Sequence, residues 1–287
     1  MKIGVVFPQV DLGADAGAIR AYAVAVAAAG YDHILAYDHV LGADRTAHPD
    51  WTGPYDATHT FHEPFALFGF LAGICDLELV TGVIILPQRQ TVLVAKQAAE
   101  VDVLSEGRFR LGVGLGWNPI EYEALGEDFH NRGRRMEEQI ELMRLLWTQP
   151  VIDFAGEFHR VTGAGLAPLP VQRPIPIWVG VGADQRALRR AGRLADGWIP
   201  FGSPGGRFEE RREVVHQSAR DAGRDPVTLG MQTRIDYGDG DLDRLGAEAA
   251  AWRDAGATHL CVNTMSAGLG TIDDHIAALE RVAVVVQ

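Results

Sequence analysis

Asp38 and His39 stand side by side at the end of a short apolar run, residues 33–37. A carboxylate next to an imidazole can give or take a proton near neutral pH, because histidine changes charge there. The pair has a plainer use as well, with Asp38 capping the following loop and His39 bonded to it. Gly112-Val113-Gly114-Leu115-Gly116-Trp117 ends another apolar run. Its alternate glycines let a backbone approach a flat ring or a phosphate without a Cβ in the way, and tight packing inside a barrel selects glycine for the same reason. Gly180-Val181-Gly182-Ala183-Asp184 leads into a helical segment starting at Gln185. The free N–H groups and dipole of a helix start make an anion site suited to a phosphate, and an ordinary strand-to-helix turn uses the same residues.

The loop carrying His48, Trp51, Tyr55, His59, Phe61 and His62 is rich in imidazoles and aromatics. Its spacing matches neither HExxH nor a two-histidine, one-carboxylate metal set, so no metal is expected. A lid that lays Trp51, Tyr55 and Phe61 over a substrate is one reading, and simple packing is the other. Glu121-Tyr122-Glu123 reads as the exposed first turn of a short helix. Residues 132–135 supply arginines that can pair with Glu137, Glu138 and Glu141 on a solvated face. Neither group is given a catalytic part.

These residues need a frame that brings strand ends together. Short apolar runs alternate with helical patterns, the signature of βαβ units and a parallel sheet. Strands are expected at 3–7, 33–37, 79–86, 109–113, 175–179, 198–200, 228–235 and 259–263. Helices are expected at 16–29, 64–75, 92–104, 134–147, 185–194, 208–222, 242–255 and 272–284. Eight strands and eight helices in strict alternation predict an α/β fold: a single (β/α)8 TIM barrel spanning 1–287, with insertions after strands 2 and 4. Both insertions then lie on the C-terminal face, where such barrels hold their active sites. An open doubly wound sheet would need GxGxxG after its first strand, and Phe7-Pro-Gln-Val-Asp-Leu-Gly13 lacks it.

Composition narrows the partners. With 26 basic and 38 acidic residues, a net charge of -12 repels a phosphate backbone, so nucleic acid is not expected. No stretch reaches the roughly 18 apolar residues of a membrane span, and the N-terminus enters a strand without a signal-peptide pattern. Cys75 and Cys261 belong to no ligand spacing and read as buried thiols in a reducing compartment. The expectation is a cytoplasmic protein acting on a small molecule.

Taken in order, the segments resemble the luciferase-like family of flavin and deazaflavin oxidoreductases. The stretches that carry the likeness are Thr81-Gly-Val-Ile-Ile-Leu-Pro-Gln-Arg89, the run from Ala95 through Ser105-Glu-Gly-Arg-Phe-Arg-Leu to Trp117, Pro170-Val-Gln-Arg-Pro-Ile-Pro-Ile-Trp-Val-Gly180 and Ala195-Asp-Gly-Trp-Ile-Pro200. The likeness covers almost the whole chain. It is strongest to the actinobacterial subgroup that uses the deazaflavin coenzyme F420, in which an Asp-His pair ends strand 2. The resemblance implies that Asp38 contacts the cofactor ring and that His39 is the proton donor. It also implies a non-prolyl cis peptide at Ile84-Ile85 backing the ring, close approach of Gly114, Gly116 and Trp117, and a phosphate held by Gly180, Val181, Gly182, Ala183 and Asp184. A homodimer is implied as well. Relatives that oxidise a sugar phosphate carry a carboxylate where this chain has Trp117, which points instead to an apolar or aromatic substrate. FMN with oxygen, in a monooxygenase, is the alternative cofactor chemistry, and a barrel that binds a cofactor without turnover is the third reading.

Overall fold

In the computed structural model, which describes residues 1–287, the apolar runs become strands β1 (Lys2–Val6), β2 (His33–Ala36), β3 (Glu78–Thr81), β4 (Ile84–Ile85), β5 (Phe109–Gly114), β6 (Ile152–Ala155), β7 (Arg160–Ala164), β8 (Ile177–Val181), β9 (Gly197–Pro200), β10 (Gly230–Asp236) and β11 (His259–Asn263). The helices are α1 (Gln9–Leu12), α2 (Ala16–Ala28), α3 (Pro64–Ala72), α4 (Thr91–Leu104), α5 (Pro119–Ala124), α6 (Arg132–Thr148), α7 (Gln185–Leu194), α8 (Arg207–Asp221), α9 (Leu242–Asp254) and α10 (Ile272–Val286). All the barrel strands pair in parallel, in the order β3-β2-β1-β11-β10-β9-β8-β5, and β3 pairs with β5 to close the ring. This is the eight-stranded barrel expected from the alternation. Closure leaves no free sheet edge, and β6 with β7 forms a separate antiparallel hairpin inside the insertion after β5.

Local chemistry starts the helices where the strands end. Asp15, Asp184 and Asp241 cap α2, α7 and α9 by accepting backbone N–H bonds, and Thr271 with Asp274 forms a capping box at α10. Glu63 caps α3 and Pro64 occupies its first turn, where a missing N–H costs nothing. The outer strand faces and the helices share one cluster of 63 buried apolar residues, so helix docking and barrel closure are one event. Truncating a fully buried member such as Leu79 to alanine costs about 2–5 kcal/mol. No helix is long and apolar enough to cross a membrane.

The barrel interior is plugged on its N-terminal side by polar groups. Arg110 donates to both Glu78 oxygens at 3.1 and 3.0 Å and to Gln232 Oε1 at 3.1 Å, and its guanidinium lies 4.1 Å from the Trp178 ring centre. His33 Nε2 lies 3.2 Å from Cys261 Sγ. Burial, then Arg110, holds His33 well below the usual histidine range, and burial pushes the Cys261 thiol up to about 12. Both are therefore neutral at physiological pH. Above this plug, Val6, Leu35, Val80 and Cys261 form a small inner cluster packed by Tyr37.

The strand predicted over 79–86 is interrupted: β3 stops at Thr81 and β4 resumes at Ile84. The cis peptide lies between Gly82 and Val83, not between Ile84 and Ile85 as expected. Ile84 and Ile85 are extended and paired with Val113 and Gly114, so the irregularity falls two residues earlier. Gly82 suits that place, because a Cβ on it would sit 2.2 Å from Leu35 Cδ2.

Candidate active site at the barrel mouth

The strand ends enclose a cavity of about 490 Å³ at the C-terminal mouth. Cys261 and Gln232 lie in its lining beside the polar plug, and Gly82, Val83, Gly180 and Tyr37 contribute to its walls. Asp38, one residue beyond Tyr37, ties the bulge to the end of strand 2. Its Oδ2 accepts the Ile85 N–H at 3.1 Å, and its Oδ1 accepts from Arg89 Nη2 at 2.7 Å. Arg89 also donates through Nη1 to Glu63 Oε1 at 3.1 Å. Burial pushes the Asp38 carboxyl above its usual range, while Arg89 and the Ile85 N–H pull the other way. Burial works against the Arg89 charge too, but Asp38 and Glu63 together outweigh it and keep the guanidinium charged.

His39 points away from this pair into a second pocket of about 310 Å³. Its Nδ1 lies 3.2 Å from Glu121 Oε1, and Glu121 also accepts from the Val40 N–H at 3.1 Å and from Gln88 Nε2 at 3.2 Å. Glu121 is buried on the first turn of α5, 1% exposed. A carboxylate with three donors around it is fixed, and it selects the imidazole tautomer that carries its proton on Nδ1. Nε2 is left free for chemistry. The rings of Phe61, Tyr55 and Trp117 surround the imidazole with centroids at 4.6, 5.2 and 5.5 Å.

Residues 40–62 carry those aromatics across the mouth. Arg45 pairs with Asp56, which also accepts from Thr58 and contacts His59 Nδ1 at 3.0 Å. Hydrogen bonds from Thr58, then Arg45, hold the Asp56 carboxyl well below the usual carboxylate range. Trp51 Nε1 donates to the Tyr55 carbonyl at 2.9 Å, and its ring rests 5.5 Å from that of Trp117. Gly53 is required beneath them: a Cβ there would lie 2.4 Å from Trp117 and 2.5 Å from Trp51. Of the loop histidines, His62 Nε2 bonds to the Gly13 carbonyl at 3.0 Å, and His48 is exposed.

The positions singled out from the sequence fall into four places. Gly180 lines the mouth cavity; Trp117 and His39 line the lid pocket. Asp38, Ile84 and Ile85 lie behind the bulge, where both Asp38 oxygens are committed within the protein and Gly82 and Val83 are the bulge residues facing the cavity. The space a Cβ would take at Gly114 and Gly116 is occupied by Val83 and Ile85, at 2.5 and 2.7 Å, so these glycines seat the bulge. The turn of Val181, Gly182, Ala183 and Asp184 borders α7. Asp184 Oδ1 accepts the Ala187 N–H at 2.8 Å, and no atom lies within 4 Å of a Cβ built on Gly182, which leaves the turn open to a ligand.

Glu121, expected from the sequence on an exposed first turn, is buried, and the acid that is exposed is Glu123. The available signal was Asn118-Pro119, a helix start directly after the strand 4 glycines that puts the next acid on the barrel rim. The arginines of 132–135 do not pair with Glu137, Glu138 and Glu141. Arg134 pairs with Glu157 and Arg135 with Glu127, because Glu137 is taken by Arg190 and Arg193 and Glu138 by the backbone of 157–159. Tyr37 and Arg234, bonded at 2.8 Å in the cavity wall, were not anticipated at all.

A fixed histidine beside a closed-bottomed cavity suits proton transfer to a substrate bound under an aromatic lid. The cavity volume lies within the roughly 300–1,000 Å³ of small-molecule and cofactor sites. Solved structures share the architecture. An F420-dependent secondary alcohol dehydrogenase superposes with a TM-score of 0.80 at 17% identity over 100% of this chain and 99% of its own. The monooxygenase RslO1 of Streptomyces bottropensis gives 0.77 at 20% identity over 99% and 98%. At these identities the likeness is one of fold. In sequence, an uncharacterized Mycobacterium tuberculosis protein is 38% identical over 177 residues, 61% of this chain and 60% of its own length. The F420-dependent glucose-6-phosphate dehydrogenase of Nocardia farcinica is 33% identical over 189 residues, 61% and 55% of the two chains. The pyrimidine monooxygenase RutA of Allorhizobium ampelinum is 32% identical over 188 residues, 61% and 50%. These matches span from one half to about 60% of each relative's length. The family model described as luciferase-like monooxygenase matches residues 1–272, and the chain therefore belongs to the luciferase-like family.

Proposed function

We propose that this protein is an F420-dependent oxidoreductase that moves hydride to or from a small apolar or aromatic organic molecule, with His39 as the group that gives or takes the proton. The observation that carries the reading is the His39–Glu121 pair, a histidine with one nitrogen held by a buried carboxylate and the other free, lining the aromatic lid pocket with Tyr55, Phe61 and Trp117. The deazaflavin assignment is supported by the Asp38-His39 pair at the end of strand 2 and by the 33% identity to an F420-dependent dehydrogenase.

The ring would lie in the mouth cavity against Gly82, Val83 and Gly180, with its phosphate toward the open turn at Gly182. Bound there, a deazaflavin supplies a two-electron hydride couple. The remaining work belongs to the chain. Asp38 and Arg89 hold the bulge and the end of strand 2 in register. Glu121 fixes the His39 tautomer and stabilises positive charge on its ring. Trp117, Tyr55 and Phe61 exclude water and offer an apolar face to the substrate. Trp117 stands where sugar-phosphate dehydrogenases of the resembling group carry a carboxylate, which favours an apolar partner.

A flavin monooxygenase is the second reading, favoured by the 32% identity to a pyrimidine monooxygenase. Incubation with reduced F420 and, separately, reduced FMN separates the two, with binding read from absorption bands and oxygen uptake from an electrode. Tight F420 binding without oxygen consumption is expected. A tight FMN complex that consumes oxygen would overturn the assignment.

A further inference from the structure

Tyr37 and Arg234 are not used by the chemistry described so far, yet they form a built network inside the mouth cavity. Arg234 Nη1 donates to Tyr37 Oη at 2.8 Å. Its other edge is clamped by Asp236, with Nε 3.1 Å from Oδ1 and Nη2 3.3 Å from Oδ2, and Asp236 Oδ1 in turn accepts from Asn263 Nδ2 at 2.8 Å. The guanidinium is thereby held in place in the cavity lining, with its side chain 45% exposed and N–H groups left over. Tyr37 accepts from Arg234, and its own hydroxyl proton has no acceptor in the protein. Burial pushes the phenol up to about 12, so it stays a donor at neutral pH; burial works against the Arg234 charge, and the Asp236 carboxylate beside it works for it. Val6, Leu35, Val83 and Ile235 contribute apolar wall to the same cavity, and Gln232, Thr233 and Arg244 are further polar side chains in its lining.

We propose that Tyr37 and Arg234 are a donor pair that binds the oxygen of a neutral carbonyl compound, and that they choose such compounds as substrates. Charge decides between a carbonyl and a carboxylate. Asp236 offsets the guanidinium, so the site carries little net charge and does not require a ligand that is a full anion in its ground state. It gains most from an oxygen that becomes negative as hydride reaches carbon, because donors aimed at developing charge favour the transition state over the ground state. The assignment of this role in turnover rests on the hydride-transfer reading above; the binding of oxygen does not.

Para-substituted phenols of graded acidity are the probe, since their oxygen carries a graded partial charge. Affinities are measured by calorimetry on the protein alone and on the protein loaded with oxidised F420, for the parent, Tyr37→Phe and Arg234→Met, with melting temperatures recorded as a check on folding. We expect affinity to rise with phenol acidity in the parent. Tyr37→Phe should weaken binding by about 10- to 100-fold and flatten that dependence, as loss of a hydrogen bond to a charged oxygen does. Equal binding by parent and Tyr37→Phe, or no phenol binding by the parent, overturns the proposal. If F420 does not bind while phenol affinity still depends on Tyr37, the cofactor reading falls and the donor pair stands.

Discussion

Replacing Arg89 with methionine removes the cation that neutralises Asp38 while keeping most of the buried volume. Asp38 is 4% exposed, so its carboxylate would then sit in the interior with only the Ile85 N–H as partner. Breaking a buried pair by deleting one partner costs about 3–5 kcal/mol. At about 2–4 °C per kcal/mol for a chain of this size class, the melting temperature should fall by about 6–20 °C. The sign with pH follows from Asp38. Its pKa is already raised by burial and rises further without Arg89, so the folded variant binds a proton that the unfolded chain, titrating near pH 4, has released. The deficit relative to parent should therefore be larger at about pH 8 than at about pH 5. Adding Asp38→Asn should restore at least half of the loss, because the amide oxygen still accepts from Ile85 and no charge is buried. Differential scanning calorimetry of parent, single and double variants at both pH values is the assay. A single variant that melts within about 2 °C of parent, or a deficit that does not change with pH, would refute the reasoning.

Other predictions concern the lid, the plug and the thiols. Gly53→Val should push Trp51 and Trp117 apart, giving red-shifted tryptophan emission and stronger acrylamide quenching at a stability cost of about 1–3 kcal/mol; unchanged emission would mean the two rings do not rest on residue 53. Burial, then Arg110, lowers His33 well below its usual value and His259 to about 3, whereas the unfolded chain takes up these protons near pH 6.5. Their contribution is full above about pH 6.5 and is lost as pH falls toward about 3, so the urea midpoint should decline between about pH 7.5 and 5. Burial raises the thiols of Cys75 and Cys261, so mass spectrometry should find neither alkylated after brief iodoacetamide treatment of the native protein at about pH 8, and both after denaturation.

What the sequence displays and what it withholds divide along contact range. The barrel was legible because its signals are local: buried strands are short apolar runs, and many helix starts, such as those of α2, α3, α7, α9 and α10, are marked by a cap or a proline. His39 was legible as a residue type at a strand end. Its partner was not, because Glu121 lies 82 residues away and meets it only when the strand 4 insertion folds back over the mouth. Arg234 is 197 residues from Tyr37, and their meeting depends on barrel closure, which no window of sequence contains. The misplaced cis peptide shows the same limit. The apolar run over 79–86 reads as one strand, and the close packing of Leu35, from the neighbouring strand, on Gly82 at the break is a long-range contact that the run does not show.

If His39 moves the proton while the mouth cavity holds the hydride carrier, His39→Ala separates the two roles. F420 affinity is measured by fluorescence titration, and single-turnover reoxidation of bound reduced F420 is followed with a carbonyl substrate found to turn over with the parent. A dissociation constant within about 3-fold of parent and a reoxidation rate lower by roughly 100-fold, the low end for loss of a general acid, are expected. An unchanged rate would remove His39 from the mechanism, and lost F420 binding would place it in the cofactor site instead.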